Sequence, residues 1–219
     1  MPRLDRHVVL LGDSIFDNAA YVGGGPDVIT QLRAALPRSW RATLCAVDGA
    51  TTAALPGQLT RVPIDASHLV VSIGGNDALR NADLLSLRTG SSEDVLRAFA
   101  RRLAAFEADY ADAIEPVLHL ERPTIVCTVY NGALETGTAE IARVALALFN
   151  DAIVRSAVQR RLSVIELRDI CTERSDYANP IEPSVRGGAK IAAAIARATA
   201  GEAPGHAVTR IWGGVASAG

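Results

Sequence analysis

The chain has 219 residues, 49% of them hydrophobic and 21% charged, with a formal net charge of -2. That length suits one domain with a substantial core, and the composition is that of an ordinary soluble protein. Aromatics are only 5% and there is no basic block, so nothing supports nucleic-acid binding.

The three cysteines, Cys45, Cys127 and Cys171, lack metal-ligand spacing, and their odd number argues against a closed disulfide framework. Cys45 and Cys127 lie in apolar runs, so buried free thiols in a reducing compartment are expected. No basic stretch leads into an apolar signal segment, and no run is long enough to span a bilayer. The expectation is a cytoplasmic protein without a membrane span.

Residues 7–11 form an apolar run ending on Gly12-Asp13-Ser14, which reads as a buried strand delivering a hydroxyl at its C-terminal end. A nucleophile suits that place; so does an N-cap. The triple glycine at 23–25 makes a loop, and no Gly-Lys-Ser/Thr follows to make it a phosphate cradle. Residues 27–36 read as a helix stopped by Pro37. A second strand, residues 41–47, closes on Asp48-Gly49-Ala50, and residues 55–59 read as a turn or short helix. A third strand, residues 68–73, closes on Gly74-Gly75-Asn76-Asp77.

Residues 92–118 carry Leu96, Phe99, Leu103, Phe106, Tyr110 and Ile114 at helical spacing, with Glu93 and Asp94 suiting the helix N-terminus. A fourth strand is expected over residues 124–130, a second long helix over 139–160 and a fifth strand over 162–167. An irregular segment, residues 168–184, precedes a final helix from 185 to 200. One domain over residues 1–200 is expected, followed by a flexible Gly/Ala-rich tail, residues 201–219.

Strands alternating with helices predict an α/β protein: a three-layer α/β/α architecture around a parallel, five-stranded, flavodoxin-like sheet. Ligands of such sheets bind beyond the C-terminal strand ends. Ser14, Gly49 and Asn76 all fall at that edge. Ester hydrolysis passes through an oxyanion, and the amides of Ser14 and Gly49 with the Asn76 side chain can supply three donors. Loss of one such donor typically costs roughly 3–4 kcal/mol of barrier.

These motifs resemble those of the SGNH hydrolases, the GDSL-like esterases and lipases. That family places Gly-Asp-Ser after the first strand, a lone Gly after the second and Gly-x-Asn-Asp after the third. The match runs nearly the length of the chain. It implies a serine esterase acting on a small-molecule ester or acyl substrate, with no metal or organic cofactor. The last motif departs. Where the family has Asp-x-x-His-Pro before a final helix, this chain has Asn179-Pro180-Ile181-Glu182-Pro183. Glu182 stands at the place of the His base and Asn179 at that of the Asp.

His7, His68 and His119 lie at N-terminal strand edges, and a strand of five or six residues spans ~17–20 Å. They are therefore too far from Ser14. His206 lies in the tail. Either Glu182 is itself the base, its pKa raised by burial and its carboxylate oriented by a hydrogen bond donated from Asn179, or the base pair has decayed. Then the fold binds without cleaving. Asp176 is a nearby carboxylate better read as a turn or cap residue. Tyr21 and Tyr130 are candidates for pocket walls or for packing. An acyltransferase would differ only in which hydroxyl accepts the acyl group.

Overall fold

The computed structural model describes residues 6–201 and 210–213. β1 (His7–Gly12) is buried along its whole length, between β2 (Arg41–Leu44) and β3 (His68–Ser72). β4 (Thr124–Cys127), β5 (Ser163–Ile165) and β6 (Ile211–Trp212) extend the sheet beyond β3. The order is β2-β1-β3-β4-β5-β6, and every pairing is parallel.

The helices in chain order are α1 (Val28–Ala35), α2 (Leu55–Leu59), α3 (Gly75–Leu79), α4 (Ser92–Leu118), α5 (Thr138–Gln159), α6 (Leu167–Ile170) and α7 (Val185–Gly201). The pleat of β1 decides the layers. Val8 and Leu10 join the core beneath α1 and α7, with Val28, Leu32, Ile191 and Ile195. Val9 and Leu11 join the opposite core beneath α4 and α5, with Phe106, Ile114, Phe149 and Ile153. A sheet covered on both faces needs such continuous apolar strands.

The sheet is the expected flavodoxin-like one with a sixth strand. Ile211 and Trp212 pair with Val164 and Ile165, inside the segment read from sequence as tail. Strands are shorter than the apolar runs suggested, because the regular ladder gives way beyond their ends. Beyond β4, the Asn150 carboxamide accepts the Val129 N–H at 2.7 Å and donates to the Val129 carbonyl at 2.8 Å. Beyond β2, the Cys45 and Ala46 N–H groups both donate to the Leu10 carbonyl, so the one-to-one ladder stops. The expected core face of α4 also needs correction at its start. Leu96 is 65% exposed, while Phe106, Tyr110 and Ile114 are buried.

Candidate active site

Gly12 ends β1 with φ +128, and a Cβ there would sit 1.7 Å from the Ser72 carbonyl oxygen. Only glycine allows this approach of β1 to β3. The buried Gln58 carboxamide accepts the Gly12 N–H at 2.8 Å and donates to its carbonyl at 2.7 Å, fixing the peptide before the turn. Asp13 continues the turn: its Oδ1 accepts the Ile15 N–H at 3.1 Å. Ser14 follows, buried, and its Oγ donates to Glu182 Oε1 at 3.1 Å. The hydroxyl is thus aimed at a carboxylate 168 residues away in sequence rather than at a helix terminus.

The loop carrying Glu182 is pinned on several sides. Asp176 is fully buried and accepts from Lys190 Nζ at 2.6 Å, with Arg186 at 3.5 Å. Its carbonyl accepts the Ser184 N–H at 2.8 Å. Asn18 Nδ2 donates to the Pro183 carbonyl at 3.1 Å, and the Tyr130 hydroxyl donates to that of Ile181 at 2.7 Å. Asp176 is a cap residue, as the sequence suggested, its Oδ2 accepting the Glu173 N–H at 3.0 Å in a capping box, and being fully buried it also anchors this loop.

Asn179 does not do what the sequence led us to expect. Its Oδ1 accepts the N–H groups of Ile181 and Glu182 at 2.9 and 2.8 Å. It closes an Asx turn under Glu182 and orients that residue through its backbone, with no hydrogen bond to the carboxylate. A carbonyl oxygen facing two donors leaves the amide orientation unambiguous.

Glu182 is 6% exposed. Burial raises its pKa from the ordinary glutamate value; the Ser14 hydrogen bond opposes this, and the negative charge of Asp48 adds to it. Its second oxygen, Oε2, is buried without a hydrogen-bond partner among the described residues. Asp13 is a second buried acid that sequence reading passed over as a turn residue. Burial raises its pKa to about 8 against the pull of the Ile15 N–H, and the charges of Glu182 and Asp77 push the same way. Its motif position gave no hint, since turn aspartates are ordinarily solvated.

Asn76 lies in the first turn of α3, and its Nδ2 donates to the Ala50 carbonyl at 2.9 Å. Asp77 ties the same two loops together, accepting from Thr52 Oγ1 at 2.7 Å and Thr52 N at 3.1 Å. Gly49, with φ +75, sits in the exposed turn just before Ala50. Ser14, Asn76 and Glu182 line one cavity of about 250 Å³; Gly49 stands outside its lining. The far wall is apolar, made by Leu79, Leu85, Phe99, Leu134, Leu146 and Phe149. Tyr130 lines the cavity, whereas Tyr21 donates its hydroxyl to Asp48 Oδ2 at 2.8 Å outside it.

His7 opens β1 and is engaged by Asp65 at 3.0 Å and Thr43 Oγ1 at 2.7 Å. His68 opens β3 and stacks on Trp40, and His119 caps α4. His206 lies outside the described residues. Cys45, Cys127 and Cys171 are buried and unpaired. Among the described residues, no three His, Cys, Asp or Glu side chains gather to hold a metal ion, and no helix is long and apolar enough to cross a membrane.

No curated protein matches the chain in sequence. Solved structures share its fold. An extracellular lipase from Streptomyces rimosus superposes with a TM-score of 0.66 at 16% identity, covering 88% of this chain and 99% of its own. A phospholipase A1 from Streptomyces albidoflavus gives 0.68 at 17%, covering 89% and 99%. An acetylxylan esterase from Geobacillus stearothermophilus gives 0.64 at 18%, covering 90% and 95%. The GDSL-like Lipase/Acylhydrolase family matches residues 10–190, from within β1 to within α7, and so spans every element that carries the site. By that match the chain belongs to the GDSL-like lipase/acylhydrolase family, and it is an esterase-type hydrolase.

Proposed function

We propose that the protein hydrolyses carboxylic esters through an acyl-enzyme on Ser14, with Glu182 as the general base. The observation that carries this reading is the hydrogen bond from Ser14 Oγ to Glu182 Oε1, 3.1 Å long, inside the apolar cavity. A candidate base must lie within hydrogen-bond reach of the proton it takes, and its pKa should approach the working pH. Burial moves Glu182 in that direction.

Glu182 takes the Ser14 proton as Oγ bonds to the ester carbonyl carbon. The carbonyl oxygen becomes an oxyanion. One Asn76 N–H is committed to Ala50, which fixes the amide and leaves the second for the oxyanion. The Ser14 N–H is a further donor. Gly49 supplies a third once substrate draws its turn inward, since apo geometry of such sites is often loose. The tetrahedral intermediate collapses, the alcohol leaves with the proton held by Glu182, and the acyl group stays on Ser14. Water then repeats the sequence and frees the acid. The apolar wall suits an acyl chain, and the ester-cleaving activities named for the lipase, phospholipase and acetylxylan esterase of the same fold agree with the reaction class. The buried, unpaired thiols support a cytoplasmic setting.

A fluorophosphonate probe tests the nucleophile without knowledge of the substrate. Mass spectrometry should place the adduct on Ser14 and find none in Ser14→Ala. Folded protein that stays unlabelled across a wide pH range would overturn the reading in favour of a binding module.

A further inference from the structure

α4 and α5 are longer than the sheet they cover. They have 27 and 22 residues, about 40 and 33 Å of helix, against about 20 Å for the six-residue β1. Each ends just before the next strand begins, so its N-terminal half overhangs the C-terminal edge of the sheet, where Ser14 lies. Burial follows the same division: the buried residues of α4 begin at Phe106 and those of α5 at Phe149. These two rings pack with centroids 5.1 Å apart, and a Cβ on Gly74 would sit 3.1 Å from Phe106, so they mark the level of the sheet edge.

Phe99 stands two turns, about 10 Å, farther out than Phe106 on the same face of α4. Ala145 and Ala142 stand about one and two turns out from Phe149 on α5. Phe99, Ala142, Ala145 and Phe149 all line the cavity that holds Ser14 and Glu182. The short side chains on α5 leave the room that the cavity occupies. Ion pairs hold these walls in place. Arg102 of α4 donates to Asn81 Oδ1 at 2.8 Å and to Asp83 Oδ2 at 3.0 Å, fixing the turn that carries Leu85, another wall residue. Arg155 of α5 pairs with Glu107 of α4.

We infer, resting on the esterase reading above, that the acyl half of the substrate is a medium-length chain of about eight to ten carbons, with Phe99 and Ala145 setting the limit. An apolar cavity of about 150 Å³ holds benzene, a six-carbon ring, and this cavity has about 250 Å³. With its carbonyl carbon at Ser14 Oγ, the chain runs outward between the overhanging helix halves, past Ala145 and toward Phe99. Its burial in this apolar slot supplies the binding energy, and a chain longer than the slot must leave part of itself in water.

The test uses p-nitrophenyl acetate, butyrate, octanoate and myristate, which share one leaving group. Wild-type kcat/KM should rise from acetate to octanoate, by up to about fourfold per added methylene, and fall at myristate. Phe99→Ala should raise the myristate-to-octanoate ratio about tenfold. Ala145→Phe should lower the octanoate-to-acetate ratio about tenfold or more. Ratios cancel any loss of folded enzyme, and the two variants move the profile in opposite directions. A wild-type optimum at acetate, or a folded variant whose ratio does not move, would overturn the acyl slot and leave the esterase reading standing. If no ester is cleaved, calorimetry on the same proteins separates the two questions. Tighter binding of 1-octanol than of 1-butanol, lost in Ala145→Phe, would uphold the slot although the esterase reading fails. Equal affinities, no binding, or binding unchanged in the variant would overturn it.

Discussion

Ser14 Oγ donates directly to Glu182 Oε1 at 3.1 Å, and Glu182 itself is held in place by Asn179, which caps the backbone N–H groups of Ile181 and Glu182. A serine hydroxyl and a carboxylate thus meet without an imidazole between them. The carboxylate is buried, without an ion pair among the described residues and displaced upward in pKa, first by burial. Those properties make the carboxylate a stronger proton acceptor, as the proposed base requires.

Glu182→Gln keeps size and polarity and removes the basicity. It should lower kcat/KM by about 10²–10⁴-fold, the usual contribution of a positioned general base. Circular dichroism and thermal unfolding should show an unchanged fold. Steady-state kinetics on a chromogenic ester is the measurement, and undiminished turnover would remove Glu182 from the reaction.

Asn76→Ala removes the proposed oxyanion donor and the bond to the Ala50 carbonyl. The expected loss is about 10²–10³-fold in kcat with a much smaller change in KM, because the interaction strengthens as charge develops. A change confined to KM would make Asn76 a ground-state binding residue.

Asn179→Asp should retain the Asx turn, since a carboxylate oxygen can still accept both N–H groups. It also places a second negative charge near Glu182 and so raises the pKa of the base. The acid limb of the kcat/KM profile should move to higher pH with the maximal rate largely kept. Asn179→Ala, which abolishes the turn, should lower kcat at every pH. A merely structural role would leave the Asp variant's limb where it was.

Asp13 gives a stability prediction with a definite sign. Its folded pKa, about 8, lies above the ordinary value of 3.8, so the folded state binds the proton more tightly than the unfolded chain. The associated stability is complete below pH about 4 and is lost as pH rises toward 8. Asp13→Asn mimics the protonated acid and can keep the acceptor for the Ile15 N–H. Relative to it, the wild type should lose up to about 1.4 kcal/mol of unfolding free energy per pH unit across that window. Denaturant unfolding at several pH values measures this difference, and a pH-independent gap would show Asp13 to be ionised when folded.

Several parts of the architecture were legible because they follow from short-range chemistry. The apolar runs ending on Ser14, Gly49 and Asn76 mark strand ends, and a parallel sheet gathers such ends at one edge. The same reasoning sent His7 and His68 to the opposite edge. The role of Asn179 was not legible, because a carboxamide can turn either its oxygen or its nitrogen toward a neighbour. Only the path of the backbone at Ile181 and Glu182 decides. β6 escaped because two paired residues, Ile211 and Trp212, leave no periodic signal in a Gly- and Ala-rich segment. Leu96 misled because helical spacing reports a face and not how far along the helix its partner extends. The buried state of Asp13 depends on α3 and the β4 loop closing over it, which no local pattern encodes.

The most direct measurement of the central claim is the rate of Ser14 phosphonylation by a fluorophosphonate, followed against pH in wild type and Glu182→Gln. The reaction consumes the activated serine and needs no substrate. The wild-type rate should rise with pH through a single ionisation above the ordinary glutamate value of 4.5, and the variant should react slowly without that rise. Equal rates and superimposable profiles for the two proteins would contradict it.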